Sequence, residues 1–403
     1  MTKKTHLRTA DVRGVSRLAI DATLGLTRLV ETMHHNIARA PGPLGKFSLE
    51  PTRGITGFVY RSIQGTTRLV GSGLDALLGQ LTPLLDSQQS PSSGPREAVL
   101  AALNGVLGDH LAASENPLAI PMQLRREGRT LTLTRESLAA GIPRPSGKIL
   151  LLVHGLCMND LQWQRKGHDH GAVLAKANGY TPLYLHYNSG QHVSTNGRAL
   201  ASILERLVQA WPVPVEELLI VGHSMGGLLA RSACHYGRLA KHAWPQHLRR
   251  IFFLGTPHHG APLERGGNWV DVILEFSPYT AALARLGKIR SAGITDLRHG
   301  SIVDTDWLHG DRFARNRKRP PVPLPEGVLC YAVGVALSAD APGSGLLGDG
   351  LVPLDSALGR HANPAHCLNF PESRCWIGYG LNHMDLLDSA DVCTRMQHWL
   401  AEN

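Results

Sequence analysis

The sequence predicts an α/β protein: a mostly parallel sheet with helices on both faces, an N-terminal helical extension and an inserted cap. Three observations predict it. From Lys148 onward, short continuous apolar runs alternate with longer amphipathic stretches, the pattern of strands buried on both faces by crossover helices. One run, Leu218-Leu219-Ile220-Val221, passes through Gly222-His223-Ser224-Met225-Gly226 straight into a helix-forming segment. A chain of 403 residues, 43% hydrophobic and 18% charged, is long enough to bury a large core and still carry an extension.

Taken in order, residues 10–35 carry apolar side chains at helical spacing, among them Val12, Val15, Leu18, Leu26 and Leu29. Residues 53–85 do the same. The two stretches also repeat one another: Arg13/Arg53, Gly14/Gly54, Gly25/Gly65, Thr27/Thr67, Arg28/Arg68, Leu29/Leu69 and Val30/Val70 are identical. A two-copy helical hairpin follows, joined at Pro41-Gly42-Pro43-Leu44-Gly45. Residues 1–90 are therefore expected to form a helical extension that packs on the main domain. The alternative is a dimerising element or a contact with an anionic membrane. Ser87 to Pro95 reads as a linker, and 91–403 as the main domain.

Within that domain, Arg96–Leu111 reads as a helix, and Leu118–Leu133 as two short strands around Arg126-Glu127-Gly128-Arg129. Strands are expected at Lys148–Val153, Thr181–Tyr187, Leu218–Val221, Arg250–Leu254, Val328–Val333 and His366–Phe370. Helices are expected at Gln162–Ala177, Gly197–Ala210, Ser224–Leu239 and Leu386–Leu400. Residues 261–327 break the rhythm with a helical stretch, Trp269–Leu286, and a Pro/Arg-rich loop. They read as a cap over the strand ends, where ligands of such sheets bind.

Composition narrows the partners. Net charge is +9, but the basic residues are spread along the chain, and aromatics at 5% offer no extended platform for stacking bases. Nucleic acid is not expected. The local basic cluster, Arg312 to Arg319, reads as a solvated loop, with a lipid-headgroup or partner patch as its alternative. The six cysteines contain no CxxC spacing, so buried free thiols are expected, a Cys367–Cys375 bridge being the lesser alternative. Asp11, Arg13, Arg17 and Asp21 interrupt any signal-peptide core, and no 18-residue apolar run exists. The expected location is cytoplasmic, with peripheral membrane contact open.

The chemistry gathers at the Gly-x-Ser-x-Gly turn. A strand turning sharply into a helix holds the serine in a strained conformation. The small residues Gly222 and Gly226 let the two elements pass without clashing Cβ atoms. An oxyanion needs two backbone N–H groups. Met225, after the nucleophile, would supply one, and Leu156, in the His154-Gly155-Leu156 loop after the first core strand, the other. A carboxylate should follow the next-to-last strand. Asp349, between Gly348 and Gly350, is preferred to Asp340 in the same loop. The base should precede the last helix, where Asn382-His383-Met384-Asp385 stands. His361 and His366 are its rivals but come too early in the chain.

Together, Leu254-Gly-Thr-Pro-His-His-Gly260, His154-Gly155-Leu156, Gly222-His-Ser-Met-Gly-Gly227, Asp349-Gly-Leu-Val-Pro353 and Asn382-His-Met-Asp385 resemble bacterial lipases and esterases of the α/β-hydrolase fold. The nearest branch is similar to GPI-inositol deacylase. The resemblance covers about residues 148–400 and leaves out the N-terminal 145. It implies a hydrolase of carboxylic esters that needs no cofactor. Asp385 is also similar to a calcium ligand of some such lipases, but no second aspartate matches upstream of Asp349.

The expectation is thus a serine esterase or lipase using Ser224, His383 and Asp349 through an acyl-enzyme. The alternatives are an acyltransferase with the same triad and a non-catalytic membrane- or partner-binding protein. Dehalogenases and epoxide hydrolases are disfavoured, because they need a carboxylate where Ser224 stands.

Overall fold

The computed structural model describes residues 10–21, 23–24, 94–261, 291–308, 320–338 and 348–402. The second half of the repeat, the 87–93 linker segment, the Trp269–Leu286 stretch, the basic cluster at 312–319 and Asp340 lie outside them. The chain divides into two compact units, 1–90 with 113–119 and 91–112 with 120–403.

In the first unit, a helix covers 10–21 and 23–24. Asn116 donates to the Gly14 carbonyl at 3.0 Å, and Arg17 to the Glu115 carbonyl at 2.8 Å. A Cβ at Gly14 would fall 2.3 Å from Leu118 Cγ, so that position admits only glycine without a shift.

The second unit is built on eight strands: β1 (Gln123–Arg126), β2 (Arg129–Thr130), β3 (Lys148–Val153), β4 (Thr181–His186), β5 (Glu217–His223), β6 (Leu248–Leu254), β7 (Leu329–Ala336) and β8 (Cys375–Tyr379). Their order is β2-β1-β4-β3-β5-β6-β7-β8. The β1–β2 and β1–β4 pairs are antiparallel and all others parallel. The helices are α1 (Gly94–Ala113), α2 (Arg135–Gly141), α3 (His170–Asn178), α4 (Val193–Ala210), α5 (Met225–Leu239), α6 (Ala292–His299), α7 (Leu354–Ala357) and α8 (Ala390–Ala401).

Alternating side chains of the same strands feed two cores. Ile149, Leu151, Val153, Ile220 and Phe253 pack with Leu200, Leu204 and Leu207 of α4 and Leu229 and Ala233 of α5. Leu150, Leu152, Val221, Phe252 and Val333 pack on the other face with Leu174 of α3 and Met396 and Trp399 of α8. The continuous apolar runs exist because both faces are covered. Each fully buried leucine contributes about 1.5–3 kcal/mol. This is the α/β-hydrolase fold. The chain leaves β3 for β4 on one side and returns to β5 on the other. The sheet's switch point, where ligands bind, is therefore at the C-terminal ends of β3 and β5.

Four elements differ by four residues or more from the sequence-based expectation. The closing helix, expected from Leu386, starts only at Ala390, after a 3-10 turn at Asp385–Leu387 and the Ser389 cap. The predicted helix at 162–177 is split. A 3-10 turn at Asp160–Trp163 closes with a capping box from Asn159, positive φ at Lys166 (48°) and Gly167 (79°) turns the chain, and α3 starts only after Asp169 caps Ala172 N–H. The last strand is Cys375–Tyr379, not His366–Phe370. Pro364 and Pro371 flank the latter, Pro364–His366 forms a 3-10 turn and Asn369 has φ 50°, so no regular ladder can form. Helix α4 begins four residues early, because Asp296 from a distant element accepts the Val193 N–H at 2.9 Å.

The described part of the 261–327 insertion is anchored. Ser291 donates to the Gly105 carbonyl at 2.7 Å, and Ile294, Ile302 and Val303 are buried. All six cysteines are free thiols, so Cys367 and Cys375 are not bridged. Among the described residues no helix is long and apolar enough to cross a membrane.

Candidate active site

Ser224 stands between β5 and α5 with φ 54° and ψ −124°, a conformation L-residues avoid. The turn fits only because its neighbours lack side chains. A Cβ on Gly222 would lie 2.7 Å from Gly227 Cα, and one on Gly226 2.2 Å from the Val153 carbonyl oxygen. The N-terminus of α5 is thereby pressed onto the end of β3. Met225 is the first helical residue, so its N–H has no partner within the helix.

The loop after β3 closes over the same point. A Cβ on Gly155 would fall 3.1 Å from Ser224 Cβ, so the backbone entering Leu156 runs directly beside the serine. His154 anchors this loop. Its ring stacks on Tyr187 at 4.4 Å, Tyr187 donates to the His154 carbonyl at 2.9 Å, and Nδ1 donates to the Gly155 carbonyl at 2.9 Å. Cys157 follows with φ 59°, its N–H on Ser189 Oγ at 3.0 Å, and burial pushes its thiol up to about 12. It is an inert thiol.

Asp349 and His383 meet at the same rim. The imidazole Nδ1 donates to Asp349 Oδ2 at 2.6 Å, with 2% and 1% of the two residues exposed. The other carboxylate oxygen accepts the N–H groups of Leu351 at 3.0 Å and Val352 at 2.7 Å. The ring is thus held in one tautomer, with the lone pair on Nε2. A Cβ on Gly255, at the end of β6, would lie 3.2 Å from both Asp349 Oδ2 and His383 Cε1. Nε2 is buried and has no hydrogen-bond partner among the described residues. The bond expected between it and the Ser224 hydroxyl is not made.

Histidines surround the pair. His223 lies with its ring 4.7 Å from that of His383 and donates through Nε2 to the His383 carbonyl at 3.2 Å. Burial, and then the neighbouring His383, hold it well below its ordinary value. Burial takes His154 down to about 3 and His170 down to about 4. These rings stay neutral at pH 7, so none places a competing cation beside the His383–Asp349 pair.

Two clusters among the described residues could supply metal ligands. In one, His168, His170 and Cys393, the histidines bond each other at 2.8 Å and His170 donates to the Leu386 carbonyl at 2.9 Å. In the other, Glu97, Asp160 and His186, Arg125 reaches both carboxylates at 3.0 and 3.1 Å. Burial raises Asp160, but the His186 hydrogen bond and the Arg125 charge outweigh it and hold it below its ordinary value. Both clusters have partners within the protein. The carboxylate of Asp385, the calcium candidate, accepts from its own loop at Asn382 N–H, 3.0 Å, and lies 3.6 Å from Lys166 Nζ.

The Ser224 turn and the β3 loop lie within a stretch that matches a family model. Residues 144–324 match the family described as PGAP1-like alpha/beta domain. The PGAP1-like segment holds Leu156, Ser224 and Met225 and ends before Asp349 and His383. A comparison with curated proteins finds no match. Among solved structures, the chain is similar to the mature lipase BlEst2 of Bacillus licheniformis, at 20% identity over 64% of this chain and 94% of that one, TM-score 0.40. It is similar to a lipase-esterase related protein of Clostridium acetobutylicum at 15% identity, over 63% and 93%, TM-score 0.33. It is also similar to the Pyrococcus furiosus esterase Pf2001 at 12% identity, over 64% and 81%, TM-score 0.37. Likenesses at these values say nothing of activity.

Sequence reasoning singled out Ser224, Leu156, Met225, Asp349 and His383, and all five lie at the C-terminal rim of the sheet. It passed over the roles of His223 and Tyr187, which brace His383 and the β3 loop. No spacing rule marks them, since their partners are carbonyl groups far along the chain.

Proposed function

We propose that residues 91–403 form a serine hydrolase that cleaves carboxylic esters. The observation that carries this reading is the buried 2.6 Å His383–Asp349 pair at the rim where the strained Ser224 turn emerges. Ser224 Oγ adds to the ester carbonyl carbon while His383 Nε2 takes the hydroxyl proton. Asp349 stabilises the imidazolium and keeps Nδ1 protonated. The Leu156 and Met225 N–H groups receive the oxyanion. The tetrahedral adduct expels the alcohol, which carries off the proton from Nε2 and leaves an acyl-Ser224. Water, deprotonated by the same nitrogen, then adds to that carbonyl and releases the carboxylic acid and free serine. The Ser224–His383 hydrogen bond of such sites is often open without substrate and tightens when substrate binds.

Hydrolysis of p-nitrophenyl esters by wild type and Ser224→Ala tests the reading. The variant should lose about 10⁴–10⁶ in kcat/KM. A loss below about tenfold would leave Ser224 without a nucleophile's role. A series of esters from acetate to palmitate then identifies the acyl length.

A further inference from the structure

The turn that leads into α3 and the first turn of α8 bring together three side chains that ester cleavage does not use: His168, His170 and Cys393. One ligand atom from each lies within 4.8 Å of the other two. Three such atoms share a point no more than about 2.8 Å from each, against zinc–ligand lengths of about 2.0–2.3 Å, so an adjustment of less than about 1 Å closes the site. The backbone holds all three. Arg165 and His168 exchange both main-chain hydrogen bonds, at 2.9 and 2.8 Å, across Lys166 and Gly167, whose positive φ closes a tight hairpin turn. His170 is the first residue of α3, which Asp169 caps. Cys393 N–H donates to the Ser389 carbonyl at 3.1 Å in the opening turn of α8. His170 and Cys393 are buried, while half-buried His168 brings the cluster to the surface.

The protonation pattern suits an ion. Burial takes His170 down to about 4, so its ring is neutral at pH 7. Its Nε2–H donates to the Leu386 carbonyl at 2.9 Å, which leaves the lone pair on Nδ1, and Nδ1 accepts from His168 Nε2 at 2.8 Å. One nitrogen tied to a carbonyl, with the other left to coordinate, is how proteins orient a metal-binding histidine. An ion that takes both lone pairs replaces the proton now shared between the two rings, which His168 can carry on Nδ1 instead. The charges nearby offset one another. Asp388 acts on His170, but it also takes Arg165 Nε at 3.2 Å and Lys166 Nζ at 3.1 Å. The negative charge for an ion therefore has to come from Cys393. Its thiol is free and burial pushes it up to about 11, so the ion must displace the thiol proton. Two imidazoles and a thiolate favour zinc, cobalt or copper over the oxygen-seeking magnesium and calcium.

We propose that His168 Nε2, His170 Nδ1 and Cys393 Sγ bind a divalent transition-metal ion of the zinc type, with a fourth position for water. Binding releases one proton, from the Cys393 thiol, while His168 moves its own from Nε2 to Nδ1. The ion ties the 165–170 segment to α8 and, through the His170–Leu386 bond, to the loop that follows His383. It touches none of the reacting atoms and does not depend on the ester-hydrolase reading.

Titration of the full chain, treated with chelator and desalted, tests the site, with Co²⁺ as a spectroscopic stand-in and Zn²⁺ as competitor. Co²⁺ should give a saturable thiolate-to-cobalt charge-transfer band in the near ultraviolet. Zn²⁺ should abolish that band and raise Tm. In Cys393→Ser the band should disappear and the Kd for Zn²⁺ should weaken by about 100-fold. In His168→Ala, a half-buried position, the band should persist at saturation while Kd weakens by about tenfold or more. If Cys393→Ser does not fold, His168→Ala carries the test. The site is overturned if saturating Co²⁺ gives no charge-transfer band, or if His168→Ala leaves Kd unchanged. A band that survives in folded Cys393→Ser belongs to another of the six thiols and overturns it equally.

Discussion

Ser224 adopts φ 54° and ψ −124° because β5 and α5 meet at too sharp an angle for any relaxed backbone. That strain costs of order 1–3 kcal/mol, and the packing of both elements holds it. Replacing Ser224 with glycine should therefore raise stability by about 1 kcal/mol while removing the hydroxyl. A urea midpoint unchanged or lowered in Ser224→Gly would show that the turn is not strained. Ser224 was legible because its motif sits at a strand–helix junction, and His383 because it precedes the closing helix. Asp349 needed its flanking glycines. The bracing of His383 by His223 was not legible, because that bond joins segments far apart in the chain and leaves no trace in spacing.

Among the elements, the packing of α5 on β3 decides the site. Gly226 permits it, and alanine there would bring a Cβ 2.2 Å from the Val153 carbonyl oxygen, a backbone atom that cannot step aside. The helix start must then lift, taking Ser224 and the Met225 N–H with it. Gly226→Ala should lower ester hydrolysis by about 10²-fold or more, since shifts of about 1 Å cost that much. Activity within a few-fold of wild type would show that the helix start tolerates displacement. Most strands and helices were readable from their apolar periods. The misread ones had local rivals: a capping aspartate and glycine divided the expected 162–177 helix, and prolines kept His366–Phe370 from becoming a strand. Gly197, the expected start of a helix, lies inside α4, where its missing side chain lets Ser232 of α5 approach. A Cβ there would lie 2.1 Å from Ser232 Oγ.

At the scale of the whole molecule, buried neutral histidines couple the fold to pH. His154, His170, His223 and His258 all have folded-state values below the roughly 6.5 of an unfolded histidine. Below that pH the unfolded chain takes up protons that the fold refuses, so stability is full above about 6.5 and falls with acidification. For His170 the loss runs from about 6.5 down to about 4. The urea midpoint should drop steadily from pH 7 to pH 5. His170→Gln should remove about 1.4 kcal/mol per pH unit from the slope below pH 6. A stability independent of pH across that range would mean these rings are solvated.

By itself, the sequence determined the α/β class, the two-faced sheet and the residues that chemistry would need at its rim. Each of these follows from local pattern: periodicity, a glycine-bounded turn and chain order. Only the tertiary structure decided that Asp349 and His383 share a hydrogen bond. It also decided that distant Asp296 starts α4 and that His223 braces the His383 carbonyl. Those are matters of distance between segments far apart in the chain, and packing of the whole unit sets them.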